Sequence, residues 1–307
     1  MGNLFASHKR MQGRRANVPL IHFIHITSKA FMDNGIAELS SIRYNGKDEG
    51  LLKEDAFMVQ PNENAPSVQV SKRLGVIAQK VRPGTVADIG ADHALLLIAL
   101  ADSGKLVRGI AGEIHTGPLE NARRRVRQAG RQEQIEVRQG DGLSVLRPGE
   151  VDAITIAGMG GALIARILEE GKEKLTGVRQ LVLQPNTDGR YVRRWLVDNG
   201  WALTEEELVE DGGILYEILI AEPGGNPELY HQPPLTSEQL MILGPWLWKR
   251  RHPLLKRRIR EILEEKQRIA DRLQAAKSEE GLKRRAEIAR EIEEWRRIEQ
   301  WGFKDAN

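Results

Sequence analysis

Val86-Ala87-Asp88-Ile89-Gly90-Ala91-Asp92-His93-Ala94 decides the fold. The first four residues have the composition of a buried strand. An apolar helical run starts at Ala94, with only a four-residue turn between. A strand that enters a helix through so short a turn opens a βα unit. The glycine lets backbone turn tightly against a ligand, and the helix N-terminus offers free N–H groups. The spacing is not Gly-x-Gly-x-x-Gly, which disfavours a loop built for a dinucleotide's pyrophosphate.

The alternation continues on both sides. A helix is predicted over 70–81, ended by Pro83-Gly84, and another over 94–100. Strands are predicted at 86–89, 108–111, 135–138, 153–157 and 180–184, with helices at 117–129, 162–170 and 191–199. Two further strands, 202–209 and 214–221, are joined by the hairpin turn Asp211-Gly212-Gly213. Five β-α alternations predict an α/β fold with a parallel doubly wound sheet, and the hairpin raises the strand count to seven. That ending suits a class I, Rossmann-like methyltransferase domain over 67–228 better than the six-stranded sheet of a dehydrogenase.

Residues 236–301 read as helices. Ile259, Ile262, Leu263, Ile269, Leu273 and Ala276 form one apolar stripe, and Leu282, Ala286, Ala289, Ile292 and Trp295 form another. Ser278–Gly281 breaks between them. Two antiparallel helices forming a short C-terminal coiled coil fit this spacing. Residues 1–66 show no sustained period and are expected to be poorly ordered. Lys9, Arg10, Arg14 and Arg15 precede an apolar stretch, but Pro19, His22 and His25 spoil a signal-peptide outline. A mis-called translation start is the simpler account.

The 307 residues include 46 Lys+Arg, 43 Asp+Glu and no cysteine. A disulfide scaffold, a thiolate metal site and a thiol nucleophile are therefore excluded. No run of 18 apolar residues occurs, so no spanning helix is expected. Residues 249–301 carry a surplus of six positive charges, whereas 67–248 carry a deficit of four. A neutral-to-acidic body with a cationic tail points to a polyanionic substrate or to a partner-binding helical appendage.

Doubly wound folds bind ligands beyond the carboxyl ends of their strands. Three successive ends carry Gly/acid pairs: Asp88 with Gly90, Gly112 with Glu113, and Gly140-Asp141-Gly142-Leu143. Glu113, 25 residues after Asp88, suits both ribose hydroxyls of an adenosine-type cofactor. Asp141 between glycines suits an adenine amino group. A plain turn explains any one of these. The three together describe a cleft for S-adenosylmethionine. The fourth strand runs into Ala157-Gly158-Met159-Gly160-Gly161, where three glycines before a helix imply close backbone approach. The fifth ends in Gln184-Pro185-Asn186, two amides able to read a base edge, or an ordinary turn.

With Val70-Ser71-Lys72-Arg73-Leu74 added, these motifs resemble, in combination and order, the bacterial TrmK family of tRNA (adenine(22)-N1)-methyltransferases. The resemblance runs from about Val70 to the end of the tail. It implies a methyltransferase domain followed by a coiled coil, S-adenosylmethionine as cofactor, and methylation of N1 of adenosine 22 in tRNA. Asp88, Gly90, Glu113, Asp141, Gly142, Ala157, Gly158 and Gly160 are the candidate cofactor contacts. Many relatives carry an aromatic where Leu95 stands and a proline where Leu97 stands; if that aromatic helps hold the target base, this protein holds it otherwise.

Asp92 is the candidate catalytic carboxylate, able to stabilise the positive charge that N1 methylation creates. Its ordinary alternative is to cap the helix beginning near Ala94. Arg73, His93, Gln184 and Asn186 are candidate substrate contacts. Arg250, Arg251, Arg257 and Arg258 lie in the acid-free stretch 249–260, which cannot form ion pairs within itself, and are expected to hold tRNA phosphates. No metal and no membrane are expected, and the location should be cytoplasmic. A monomer is expected, with a dimer through the tail as the alternative. The competing functions are a small-molecule methyltransferase whose coiled coil serves oligomerisation, and a partner-binding coiled coil on a degenerate fold.

Overall fold

The computed structural model describes residues 69–303; the expectation of poor order over 1–66 lies outside them. The Ser71 hydroxyl accepts the Leu74 N–H at 3.2 Å and starts α1 (Lys72–Lys80). Then follow β1 (Gly84–Ile89), a 3₁₀ turn at Asp92–Ala94, α2 (Leu95–Asp102), β2 (Leu106–Glu113), α3 (Thr116–Gln128) and β3 (Ile135–Gln139). β4 (Ala153–Gly160), α4 (Gly161–Glu170), β5 (Gln180–Thr187) and α5 (Gly189–Asp198) complete the alternation, and β6 (Trp201–Asp211) and β7 (Ile214–Pro223) form the hairpin.

The seven strands make one sheet in the order β3-β2-β1-β4-β5-β7-β6. Five are parallel; β7 lies antiparallel between β5 and β6. Alternation along each strand separates two cores. Val86, Ala111, Ala153 and Val182 face α1, α2 and α3, joining Ile77, Leu97 and Val126. Ala87, Ile110, Ile154 and Leu183 face the other way, joining Ile164, Val192 and Trp195. This period of two is what the pleat imposes on a sheet covered on both sides.

After the hairpin come α6 (Ser237–Leu243), α7 (Pro245–Lys249), α8 (Leu255–Arg272) and α9 (Glu279–Gly302). Leu255, Ile259, Ile262, Trp295 and Ile298 share one buried cluster with Leu208 and Leu219 of the hairpin, so these helices are packed onto the sheet. α8 and α9 run antiparallel, tied by Arg260 to Glu299 at 3.1 Å and by Lys266 to Glu291. The apolar stripe of α9 differs from the expected one. Ile288, Ile292, Trp295 and Ile298 are buried, while Leu282, Ala286 and Ala289 are exposed. The expected stripe ran too far toward the helix start. The helix instead buries the side that meets both α8 and the body.

Candidate active site

The turn after β1 is built against the end of β2. The Gly90 and Ala91 N–H groups both donate to Gly112 O, at 2.9 and 3.3 Å, and Gly90 sits at φ +72°. Glu113 Oε1 accepts the Asp92 N–H at 2.5 Å. Its Oε2 has no protein partner among the described residues, and burial pushes its carboxyl above the usual range. Asp88, 5% exposed, accepts the Thr155 hydroxyl at 2.6 Å. Burial, offset by that hydrogen bond and reinforced by the nearby charge of Glu113, raises its carboxyl to about 6. Asp141, after β3, is exposed and has no side-chain partner among the described residues.

This donor set fits an adenosine-bearing cofactor. Among the described residues Glu113 keeps one oxygen unengaged beside a turn whose glycine holds left-handed backbone at φ +72°. A Cβ on Gly90 would lie 2.2 Å from the Met159 terminal methyl. Gly142 has a structural demand of its own: at φ +49° it packs against Ile167 of α4. Ala157 is partly buried at the β4 end. Gly158, exposed at φ +81°, and Gly160, at the N-cap of α4, carry the loop above it. The third glycine, Gly161, is required by packing, since a Cβ there would meet Asp188 O at 2.2 Å.

Asp92 does not cap a helix. Its carboxylate accepts no backbone N–H, and α2 starts after Ala94 without a side-chain cap. The side chain is 72% exposed, with His93 Nε2 at 3.4 Å. His93 and Ala94 both adopt left-handed backbone, at φ 55° and 53°. Consecutive non-glycine residues in that region store strain of order 1–3 kcal/mol each, and here the strain sits at the mouth of the strand ends. His93 Nδ1 is buried without a partner.

Gln184 is not available to read a base edge. It is 1% exposed, and its Oε1 accepts the Gly158 N–H at 3.1 Å and a hydrogen bond from Arg73 Nη1. Its amide donates to Asn186 Oδ1 at 3.1 Å, and Asn186 Nδ2 donates to Gly158 O at 2.8 Å. The two amides therefore brace the β4 loop, and of the pair only Asn186 is exposed. The continuous burial of β5 carried the signal: Gln184 continues the apolar run Leu181-Val182-Leu183 inside a sheet covered on both faces.

The stretch 249–260 finds its acids elsewhere. Arg257 pairs with Glu210 at 2.7 Å and with Glu261 at 3.2 Å. Arg258 points toward buried Glu217 at 3.8 Å, and its Nε is buried. His252 meets Glu207 at 2.5 Å. Arg250 lies 3.8 Å from Glu205 and stacks on Trp246 at 4.7 Å. Arg251 donates to Gly302 O at 3.1 Å. The tail packs on the acidic outer strand, so lack of acids within the stretch does not leave its cations free. The run Glu205-Glu206-Glu207 with Glu210 was the available signal.

Three residues near the site carried no expectation as contacts: Thr155, which holds Asp88; Met159, which fills the space over Gly90; and Tyr216, over whose ring Arg73 lies at 5.0 Å. Leu95 is partly exposed at the start of α2, while Leu97 is fully buried. Among the described residues no three His, Asp or Glu side chains gather as a metal site would, and no helix is long and apolar enough to cross a membrane.

Known proteins are similar to this chain in sequence and in fold. A Bacillus subtilis tRNA (adenine(22)-N(1))-methyltransferase is 42% identical over 228 residues, covering 74% of this chain and 95% of that protein. The crystal structure of the B. subtilis m1A22 tRNA methyltransferase TrmK matches with a TM-score of 0.69 at 40% identity, covering 75% of this chain and 98% of that one. A Streptococcus pneumoniae protein in complex with S-adenosyl-L-methionine matches with a TM-score of 0.62 at 35% identity, covering 75% and 99%. The family model described as TrmK, tRNA (adenine(22)-N(1))-methyltransferase, matches residues 86–297. The chain belongs to this family.

Proposed function

We propose that the protein methylates N1 of adenosine 22 in tRNA with S-adenosylmethionine as methyl donor, and that Asp92 is its catalytic carboxylate. The observation that carries the role of Asp92 is its combination of a fixed backbone and an unengaged side chain. Glu113 anchors the Asp92 N–H, while the carboxylate stands 72% exposed beside Gly90. When bound, the cofactor supplies an electrophilic methyl group on a sulfonium. Glu113 Oε2 would accept its ribose hydroxyls, and Asp141 its adenine amino group. Gly90, Ala157, Gly158 and Gly160 admit it closely, while Asp88 and Gly142 hold the two loops from beneath.

Transfer is an in-line displacement, so the residues act mainly by alignment and exclusion of water. Adenine becomes cationic as N1 is methylated. Asp92 accepts a hydrogen bond from the exocyclic amine, or its proton, and lowers the energy of that charge. His93 and Asn186 stand where they touch the entering nucleotide. Gln184 acts through Asn186 and Gly158. Arg250 and Arg251, exposed at the start of the tail, hold tRNA phosphates, whereas Arg257 and Arg258 bind mainly to the hairpin. Both substrates meet in the cytoplasm, and nothing in this chemistry requires a second copy of the chain.

The test is incubation with labelled S-adenosylmethionine and unmodified tRNA transcripts, followed by nucleoside mass spectrometry. One-methyladenosine at position 22, lost when that adenosine is replaced by guanosine, is the expected result. Cofactor turnover without RNA would overturn it.

A further inference from the structure

Arg73 is fixed from three directions. Its backbone N–H donates to Asp211 Oδ2 at 2.9 Å, its Nη1 donates to Gln184 Oε1, and its guanidinium lies 5.0 Å over the half-buried ring of Tyr216. The other guanidinium donors have no partner, and no carboxylate lies within ion-pair distance, among the described residues. This contrasts with Arg257, whose charge is met by Glu210 and Glu261. Arg73 is also joined to the transfer site: Gln184 Oε1 accepts from the Gly158 N–H as well, and Met159 packs on Gly90. Leu215 and Glu217 line the opposite face of β7, which leaves Tyr216 on the α1 side beneath the guanidinium.

A long cationic side chain normally loses its rotamer freedom when it grips an anion. Stacking and a shared amide oxygen hold this one in place beforehand, with its fork of donors unengaged. We propose that Tyr216 and Gln184 are positioning residues that set Arg73 as the clamp for the phosphate of the nucleotide being methylated. An adenine drawn out of its stack into the cleft brings its own phosphate to the lip, beside Gly158, where Arg73 stands. The proposal rests on the tRNA substrate put forward above. Tyr216 acts through Arg73 because its face is already covered by the guanidinium.

The test compares Arg73→Gln, Tyr216→Phe, Tyr216→Leu, Tyr216→Met and the double variant Arg73→Gln/Tyr216→Leu in the full chain. Tyr216→Phe keeps the ring and should behave as the parent. Tyr216→Leu, Tyr216→Met and Arg73→Gln should each raise KM for tRNA about tenfold. The double variant should be no worse than Arg73→Gln alone. Cofactor affinity by calorimetry should be unchanged throughout. The slope of log K against log[salt] for tRNA binding should lose about one phosphate contact in Arg73→Gln. A further loss in the double variant, an unchanged salt slope, or weakened cofactor binding in both Tyr216→Leu and Tyr216→Met would overturn the clamp. If the parent binds tRNA but leaves position 22 unmethylated, the function proposal fails, while the salt slopes still decide the role of Arg73.

Discussion

Glu113 accepts the backbone N–H of Asp92 through Oε1 at 2.5 Å, joining the end of β2 to the turn after β1. On the proposed function this one carboxylate would have two duties: one oxygen fixes the turn that carries the catalytic candidate, and the other would accept the ribose hydroxyls. Glu113→Ala should weaken cofactor binding and also lower kcat at saturating cofactor, because the Asp92 turn loses its anchor. A hydrogen bond to a charged group contributes about 1.5–3 kcal/mol, so a loss of cofactor affinity of roughly ten- to a hundredfold is expected by calorimetry. Burial holds this carboxyl above its ordinary range, so the ionised form, and cofactor affinity with it, should fall off on mild acidification.

Asp92→Ala should abolish methylation and leave cofactor binding intact. The carboxylate is exposed and caps no helix, so stability should change by no more than about 0.5 kcal/mol. Single-turnover methylation and a thermal melt on the same sample separate the two effects. Unchanged turnover would remove Asp92 from the mechanism.

Asp88→Asn should stabilise the protein at neutral pH while impairing function. The carboxyl is raised from its ordinary 3.8 to about 6, chiefly by burial. Folding therefore favours the protonated form, and that preference supports the fold fully below pH 3.8. It is lost as pH rises through about 6, above which ionised Asp88 costs on the order of 2–3 kcal/mol. Asparagine keeps an acceptor for the Thr155 hydroxyl without the charge. Its gain in urea midpoint should be present at pH 7.5 and vanish near pH 4. A gain equal at both pH values would refute the account.

The strand ends were legible because each carries a local signature: apolar run, glycine, acid. Seven strands and their helices followed from short apolar runs set between helical periods, since a sheet covered on both faces buries nearly every residue of its inner strands. Asp92 was legible by position, but its freedom from capping was not, because that depends on the left-handed backbone of His93 and Ala94. Gln184 was misjudged for the opposite reason. An amide at a strand end looks like a turn residue until the register shows Ala157 opposite it, with the β4 loop just beyond. The cations of 249–260 seemed free because most of their acids, Glu205, Glu207, Glu210 and Glu217, lie on the hairpin and are brought beneath them only by tertiary packing. Tyr216 had no local signal at all, since its role depends on α1 crossing the start of β7.

Arg193 offers the sharpest test of how the tail is held. The guanidinium is fully buried, with Nε on Glu206 at 2.6 Å, Nη2 on Glu217 at 2.7 Å and Nη1 on Met241 O at 2.9 Å. Glu206 also accepts the Trp246 N–H at 2.8 Å, so one cluster joins α5, both hairpin strands, α6 and α7. Two acids sharing one arginine inside the protein are tolerable only while that arginine is present. Arg193→Met keeps much of the volume but takes the guanidinium from both carboxylates, leaving Glu206 stranded and Glu217 with the more distant Arg258 at 3.8 Å. Removing one partner of a buried pair costs about 3–5 kcal/mol, so an unfolding free energy from urea titration lower by about that amount at pH 7.5 is expected. Lowering the pH should recover part of the loss in Arg193→Met, because protonating Glu206 and Glu217 removes the stranded charge. A deficit that stays constant from pH 7.5 to pH 5 would mean that lost packing, rather than unpaired charge, accounts for the destabilisation.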